Sequence, residues 1–300
     1  MNSAVKTEYI EALQDFDAAI CEATAVSQAS SGRMAPVNIG YASYVFTGMC
    51  GVGTSLVRAA PYSRWVRSEF QNWHFSAIAG HARSILDGYL LFNYLIAPSS
   101  SELELQARIN IMHLKDCVQR IRLHKNIGSA SDIEGFEAQR DELCERLKGN
   151  DYFNSLPEKS QKIFLNGKYL TLENRDEILT KVGFKKNEFD ALYDLWSQHI
   201  HILPMSFYRT EANGRGTGIE NDVDRGYMAA ALKLCAAILT DATDSLVILF
   251  PDAAGTRKGI KSEFSPGPIA NRRKSSRVPK DPTTSPPSSK KLVRLKIGEI

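Results

Sequence analysis

Three hundred residues, 43% hydrophobic and 24% charged, suffice to bury a self-sufficient core in one large domain or two smaller ones. The net charge of +3 hides a split: residues 252–300 hold 12 Lys/Arg and 4 Asp/Glu, whereas residues 1–251 hold 25 and 30. Five widely spaced cysteines without a C-x-x-C pair exclude a disulfide scaffold and argue against a zinc site, so a reducing cytoplasm is the expected setting.

The opening "MNSAVKTEYIEALQDF" is charged and polar and does not read as a secretory signal. Residues 4–28 set Ile10, Leu13, Phe16, Ile20 and Ala23 on one stripe at helical spacing, so a first helix is expected there. Residues 38–59 predict a second. The uncharged run Val37–Val57 is long enough to span a bilayer, but its glycines, two tyrosines and several Ser, Thr and Asn keep its hydropathy modest, and a buried helix is preferred. Gly48, Gly51 and Gly53 in that run lack the strand and lysine of a P-loop and read as sites of close helix approach.

Pro61 suits the first turn of a long third helix over 62–97, stopped by Pro98. The spacings "SELE" (Ser101, Glu104) and "SDIE" (Ser131, Glu134) are capping boxes that open two more helices. "SLPE" (Ser155–Glu158) has the same form with proline in the first turn. Shorter pieces fill 150–186, a helix over 187–203 meets Pro204, and a last helix is expected over 222–249. No run alternates β-branched residues, so the fold class is all-α, a bundle of six to eight helices over 1–251. Residues 252–300, with half of the chain's 12 prolines and many Ser, Lys and Arg, are expected to form a disordered basic tail. That tail is the expected contact for nucleic acid or an acidic partner, and a homodimer is a further possible assembly.

Between Ala82 and Ala97 apolar residues surround the third helix, and only Arg83 and Asp87 are charged. They stand four apart and can pair. Buried charge needs further partners. Tyr193, Ser197 and His201, spaced by four on one arc of the 187–203 helix, are the best candidates, in an enclosed cluster between the two helices. His199 points nearly the opposite way, inside the apolar stripe Phe189, Leu192, Trp196, Ile200 and Leu203, and reads as a core histidine with one hydrogen bond. The site set is therefore Arg83, Asp87, Tyr193, Ser197 and His201, with no metal or cofactor expected. A structural ion-pair network is the first reading of it, and a ligand or catalytic site the second.

The pattern Arg83-Ser84-x-x-Asp87, followed by Tyr193-x-x-x-Ser197-x-x-x-His201, resembles an uncharacterised bacterial all-helical family of unknown function, over residues 60–250. The family more usually carries Glu where Asp87 stands, so the carboxylate here has a shorter reach. The resemblance implies an all-α fold and a shared polar centre, and some relatives sit near bacterial defence genes. An interaction or regulatory module in stress or phage defence is thus the first functional expectation. A second comes from Arg and a later His with four to six residues between them, a spacing similar to that of HEPN-type metal-independent ribonucleases. Arg108/His113 and Arg67/His74 carry it, and His201 or His113 would move the proton while Arg83 or Arg108 steadied the phosphate. "NGRGTG" (Asn213–Gly218), with Arg209 and Arg215, reads as a flexible connection before an anion cradle.

Overall fold

The structure, a computed structural model, describes residues 3–128, 133–208 and 215–268. It contains the helices α1 (Ser3–Ala29), α2 (Val37–Ala59), α3 (Ser76–Ile96), α4 (Glu102–Ile127), α5 (Ile133–Lys148), α6 (Asp151–Asn154), α7 (Glu158–Leu165), α8 (Arg175–Lys181), α9 (Lys186–Ile200), α10 (Pro204–Phe207) and α11 (Asp222–Leu249). A 3₁₀ turn follows at Pro251–Thr256. The all-α class holds, with no strand among the described residues. The helices outnumber the expected six to eight, because the short pieces expected over 150–186 form the separate helices α6, α7 and α8, and α10 follows α9.

α3 occupies the middle, packed on α2, α11, α9 and α8, while α1 lies along α11. Its Ile78, Ala82, Ile85, Leu86, Phe92 and Leu95 are all buried, each large side chain contributing about 1.5–3 kcal/mol of transfer free energy. Two glycines permit this closeness. A Cβ on Gly88 would stand 2.7 Å from Met49, and one on Gly53 would stand 2.7 Å from Ile20. Gly48 and Gly51 face open space and play no such part. A second, smaller core forms where α4 packs on α5, α6 and α7, around Ile111, Leu114, Leu143, Leu147 and Phe153. Among the described residues no helix is long and apolar enough to cross a membrane.

Several boundaries differ from the sequence expectation. α3 starts at Ser76, and residues 62–75 are irregular, with Tyr62 at φ 58°. The rings of Tyr62 and Trp73 meet at 5.7 Å, whereas eleven residues of helix would part them by about 16 Å. Trp73 instead gives its backbone N–H to Gly218 O at 3.0 Å, and the Trp65 indole donates to Asp17 at 2.7 Å. Ser101 caps α4 by accepting from Glu104 N at 3.1 Å, but the Glu104 carboxylate turns to Ser100 and Arg108 rather than closing the box. Ser155 does not open α7, whose N-cap position Pro157 takes; it closes α6 instead, its backbone N–H donating to Asp151 O at 3.0 Å. The full box lies at Asn174 and Glu177 of α8. Ser131 falls outside the described residues.

Residues 252–268, expected to begin the tail, pack against α1 instead. Arg257 bonds Glu22 at 2.9 Å and also reaches Asp244, Gly259 N donates to Glu22 at 2.8 Å, and Ser265 donates to the buried Cys21 at 3.0 Å. Proline and lysine content marks a segment that cannot build a core, yet such a segment can still lie along one when single side chains find partners. Residues 269–300, the rest of the expected tail, lie outside the described residues.

Candidate functional site

α3 and α9 meet along their polar edges. Arg83 Nη1 donates to Ser197 Oγ at 2.9 Å and Nη2 to Tyr193 Oη at 2.5 Å, and its Cζ lies 4.0 Å from the Tyr193 ring centroid. Ser197 in turn donates to Tyr193 O, one turn back, at 2.5 Å. The i, i+4 spacing puts both hydroxyls on one arc of α9, and the central place of α3 brings its only arginine beneath them. Asp87 pairs with Arg83 through Nε at 3.8 Å, too long for a hydrogen bond, and its side chain is 52% exposed. Burial pushes the Asp87 carboxyl up from the usual carboxylate range, with Arg83 and Arg175 pulling the other way.

Arg83, Tyr193 and Ser197 are thus joined by direct bonds, while Asp87 and His201 share one cleft with Arg83. That cleft, about 550 Å³, is lined by Ser76, His81, Arg83, Ser84, Asp87 and His201, among others. His201 is the exposed C-terminal cap of α9: its backbone N–H donates to Ser197 O at 3.1 Å, while its imidazole makes no hydrogen bond to the other four among the described residues. α9 stops at Ile200, three residues before the expected end, and Ile202 turns through φ 50°. The early end swings the chain away and leaves the cleft open to solvent, so the enclosure expected from the sequence is not found.

His81 and Ser76 were not singled out from the sequence. The signal for Ser76 is the spacing Ser76, Gly80, Ser84, Asp87, which runs down one polar edge of an otherwise apolar helix; His81 lies off that edge. Burial lowers the pKa of His81 from that of a free imidazole.

Behind the cleft lies His199, 2% exposed, its ring edge-on to Phe75 at 4.8 Å. It makes two hydrogen bonds rather than the expected one. Arg215 Nη2 stands 3.1 Å from Nε2, and Ser76 Oγ stands 3.2 Å from Nδ1. A guanidinium only donates, so Nε2 accepts, the ring proton sits on Nδ1, and Nδ1 donates to Ser76. Burial, with the nearby Arg215 and His74, pushes the imidazole pKa down to about 4 against a weaker opposing pull from Asp224. Arg215 therefore points inward, toward His199 and the Tyr227 ring, and not into an anion cradle. Arg209 and Asn213 lie outside the described residues.

Of the two Arg-to-His spacings, Arg108/His113 is dispersed by the helix. Five residues turn α4 through about 140°. Arg108, 5% exposed, bonds Glu104 at 2.5 Å and Glu173 at 3.1 Å, while His113 Nε2 meets Tyr41 Oη at 2.8 Å on α2. In the other pair Arg67 is exposed and His74 Nδ1 accepts from Ser76 N at 3.3 Å. No three His, Cys, Asp or Glu side chains gather as a metal site requires, among the described residues.

The sequence profile of a family of unknown function, DUF5677, matches residues 54–216. The chain belongs to DUF5677. The matched stretch spans α3 through α9, so the Arg83–Tyr193–Ser197 cluster and the cleft beside it fall within the DUF5677 region. No curated protein and no solved structure matches the chain.

Proposed function

We propose that this DUF5677 chain is an interaction or regulatory module whose α3–α9 cleft receives an anionic group, a phosphate ester foremost, of a ligand or partner. The observation that carries this reading is how Arg83 is held. Two hydroxyls and an aromatic face fix its guanidinium, and its carboxylate neighbour stands 3.8 Å away. Hydroxyl acceptors position an arginine without cancelling its charge, which is the arrangement a planar, bidentate phosphate contact needs. Residues 269–300, with nine Lys/Arg against two Asp/Glu, extend the same preference toward a polyanion such as RNA, in the stress or phage-defence setting that the family resemblance suggests.

The test is equilibrium binding of a fluorescent 5′-phosphorylated RNA oligonucleotide, with inorganic phosphate as competitor, to wild type and Arg83→Ala. Loss of about tenfold in affinity in the variant, with a near-native melting curve, is the expected result. Equal binding by the two proteins would sink the reading.

A ribonuclease reading has one observation in its favour: Arg83, His81 and His201 line a single cleft. There the 2′-hydroxyl would attack the adjacent phosphorus and the P–O5′ bond would break. One histidine would take the 2′ proton and the other would return a proton to the 5′ oxygen. Incubation of labelled RNA with wild type and His201→Ala, with and without chelator, decides it; RNA left uncut by wild type removes it.

A further inference from the structure

The geometry points to His199 as a positioning residue: it donates from Nδ1 to Ser76, so that the Ser76 hydroxyl proton is presented to the anion in the α3–α9 cleft, and it is itself set by Arg215. This inference rests on the anion-binding reading of that cleft and gives it a second donor and a regulatory link. A hydroxyl has one proton and two acceptor sites. With Nδ1–H occupying an acceptor site at 3.2 Å, Ser76 keeps its own proton free, and no acceptor for that proton is found among the described residues. Ser76 is half-buried and lines the cleft that Arg83 lines. A neutral imidazole could equally accept from a serine, and Ser76 would then offer the anion only lone pairs. Arg215 decides between the two, since its donation to Nε2 at 3.1 Å leaves the ring proton nowhere but Nδ1.

Arg215 is held in turn. Asp224, 1% exposed at the start of α11, accepts from Gly216 N at 3.1 Å and from Asn221 Nδ2 at 2.7 Å, and stands 3.7 Å from Arg215 Nε. Trp73 N–H, three residues before Ser76, bonds Gly218 O in the same segment. The segment 215–221 thus fixes Arg215, Arg215 fixes the tautomer of His199, and the tautomer fixes what Ser76 can donate. Whatever displaces that segment changes the donor set of the cleft without touching Arg83.

The experiment uses the full chain, ¹⁵N-labelled on histidine, and inorganic phosphate as the probe, with Arg83→Ala as the control for site-specific binding. Long-range ¹H–¹⁵N spectra should show His199 with a protonated Nδ1 and a bare Nε2. Ser76→Ala should weaken phosphate by about tenfold and Ser76→Thr should bind like wild type. Asn at 199 places an amide N–H where Nδ1 stood, and Gln places its amide where Nε2 stood. His199→Asn should therefore retain affinity that His199→Gln loses. Wild type that ignores phosphate overturns the anion reading and the donor role together. Wild type that binds, but with the proton on Nε2 or with Ser76→Ala unaffected, overturns the His199 inference alone.

Discussion

Two arginines on neighbouring helices make opposite use of a charge. Arg108 on α4 is buried between the carboxylates of Glu104 and Glu173, with the Tyr94 ring at 5.2 Å and Lys181 closing the group from the far side at 2.8 Å. Burial pushes the Glu104 carboxyl up, but its bonds from Ser100 and Arg108 outweigh that, and it ends below the usual carboxylate range. Every charge there is met by another charge. Arg83 on α3 is met by hydroxyls and a ring, with open cleft on its remaining side. The difference separates a charge that holds helices in register from one that is kept available.

Truncation should expose that difference most sharply. Arg108→Ala leaves the buried Glu104 carboxylate without its cation and Glu173 with Lys181 alone, and should cost about 3–5 kcal/mol in denaturant unfolding. Arg83→Ala leaves two hydroxyls that can rebond to water at the cleft edge, and should cost about 1–2 kcal/mol. Similar losses in the two variants would mean that Arg83 is also a structural pin, and the contrast would fail.

His199 provides the next largest effect. Its folded-state pKa, about 4, lies below the 6.5 of an unfolded chain, so the neutral ring contributes stability that is fully present above pH 6.5. As pH falls from about 6.5 toward 4, the unfolded chain takes a proton that the folded ring, facing Arg215 and His74, refuses. Roughly 2–3 kcal/mol should be lost over that window. His81 is shifted in the same direction and adds to the slope, so the comparison needed is wild type against His199→Asn in urea titrations at pH 7.5 and 4.5. An equally steep loss in the variant would place the pH dependence elsewhere.

How far the sequence carried the reading depended on whether a signal was local. The last helix, Asp222–Leu249, was legible to the residue because Asn221 caps it and Pro251 follows it. Residues 62–75 misled because Pro61 suits a helix's first turn, yet Tyr62 turns through φ 58°, Trp65 and Trp73 bond the distant Asp17 and Gly218, and Val66 and Phe70 face water. The Arg83–Tyr193–Ser197 cluster was legible across more than a hundred residues, since a charge on an apolar helix must be met and few side chains were placed to meet it. The openness of the cleft was not, because it depends on where α9 ends. Nor was Arg215, whose approach to His199 is set by a loop whose path no periodicity encodes.

The smallest effect has the most informative sign. Asp87 is the one carboxylate paired with Arg83 among the described residues, half exposed and 3.8 Å from its Nε. If the cleft receives an anion, Asp87 repels it, and Asp87→Asn should tighten phosphate or RNA binding by about two- to fivefold while changing stability by less than about 1 kcal/mol. If Asp87 instead serves to orient Arg83, the same substitution loosens the guanidinium and weakens binding. A Glu side chain has the longer reach to close on Arg83, so Asp87→Glu should move affinity the other way, downward, by drawing the guanidinium into a tighter pair. A series in which Asn binds best, Asp next and Glu least would show a charge held open for a ligand, and the reverse order would return Arg83 to the company of Arg108.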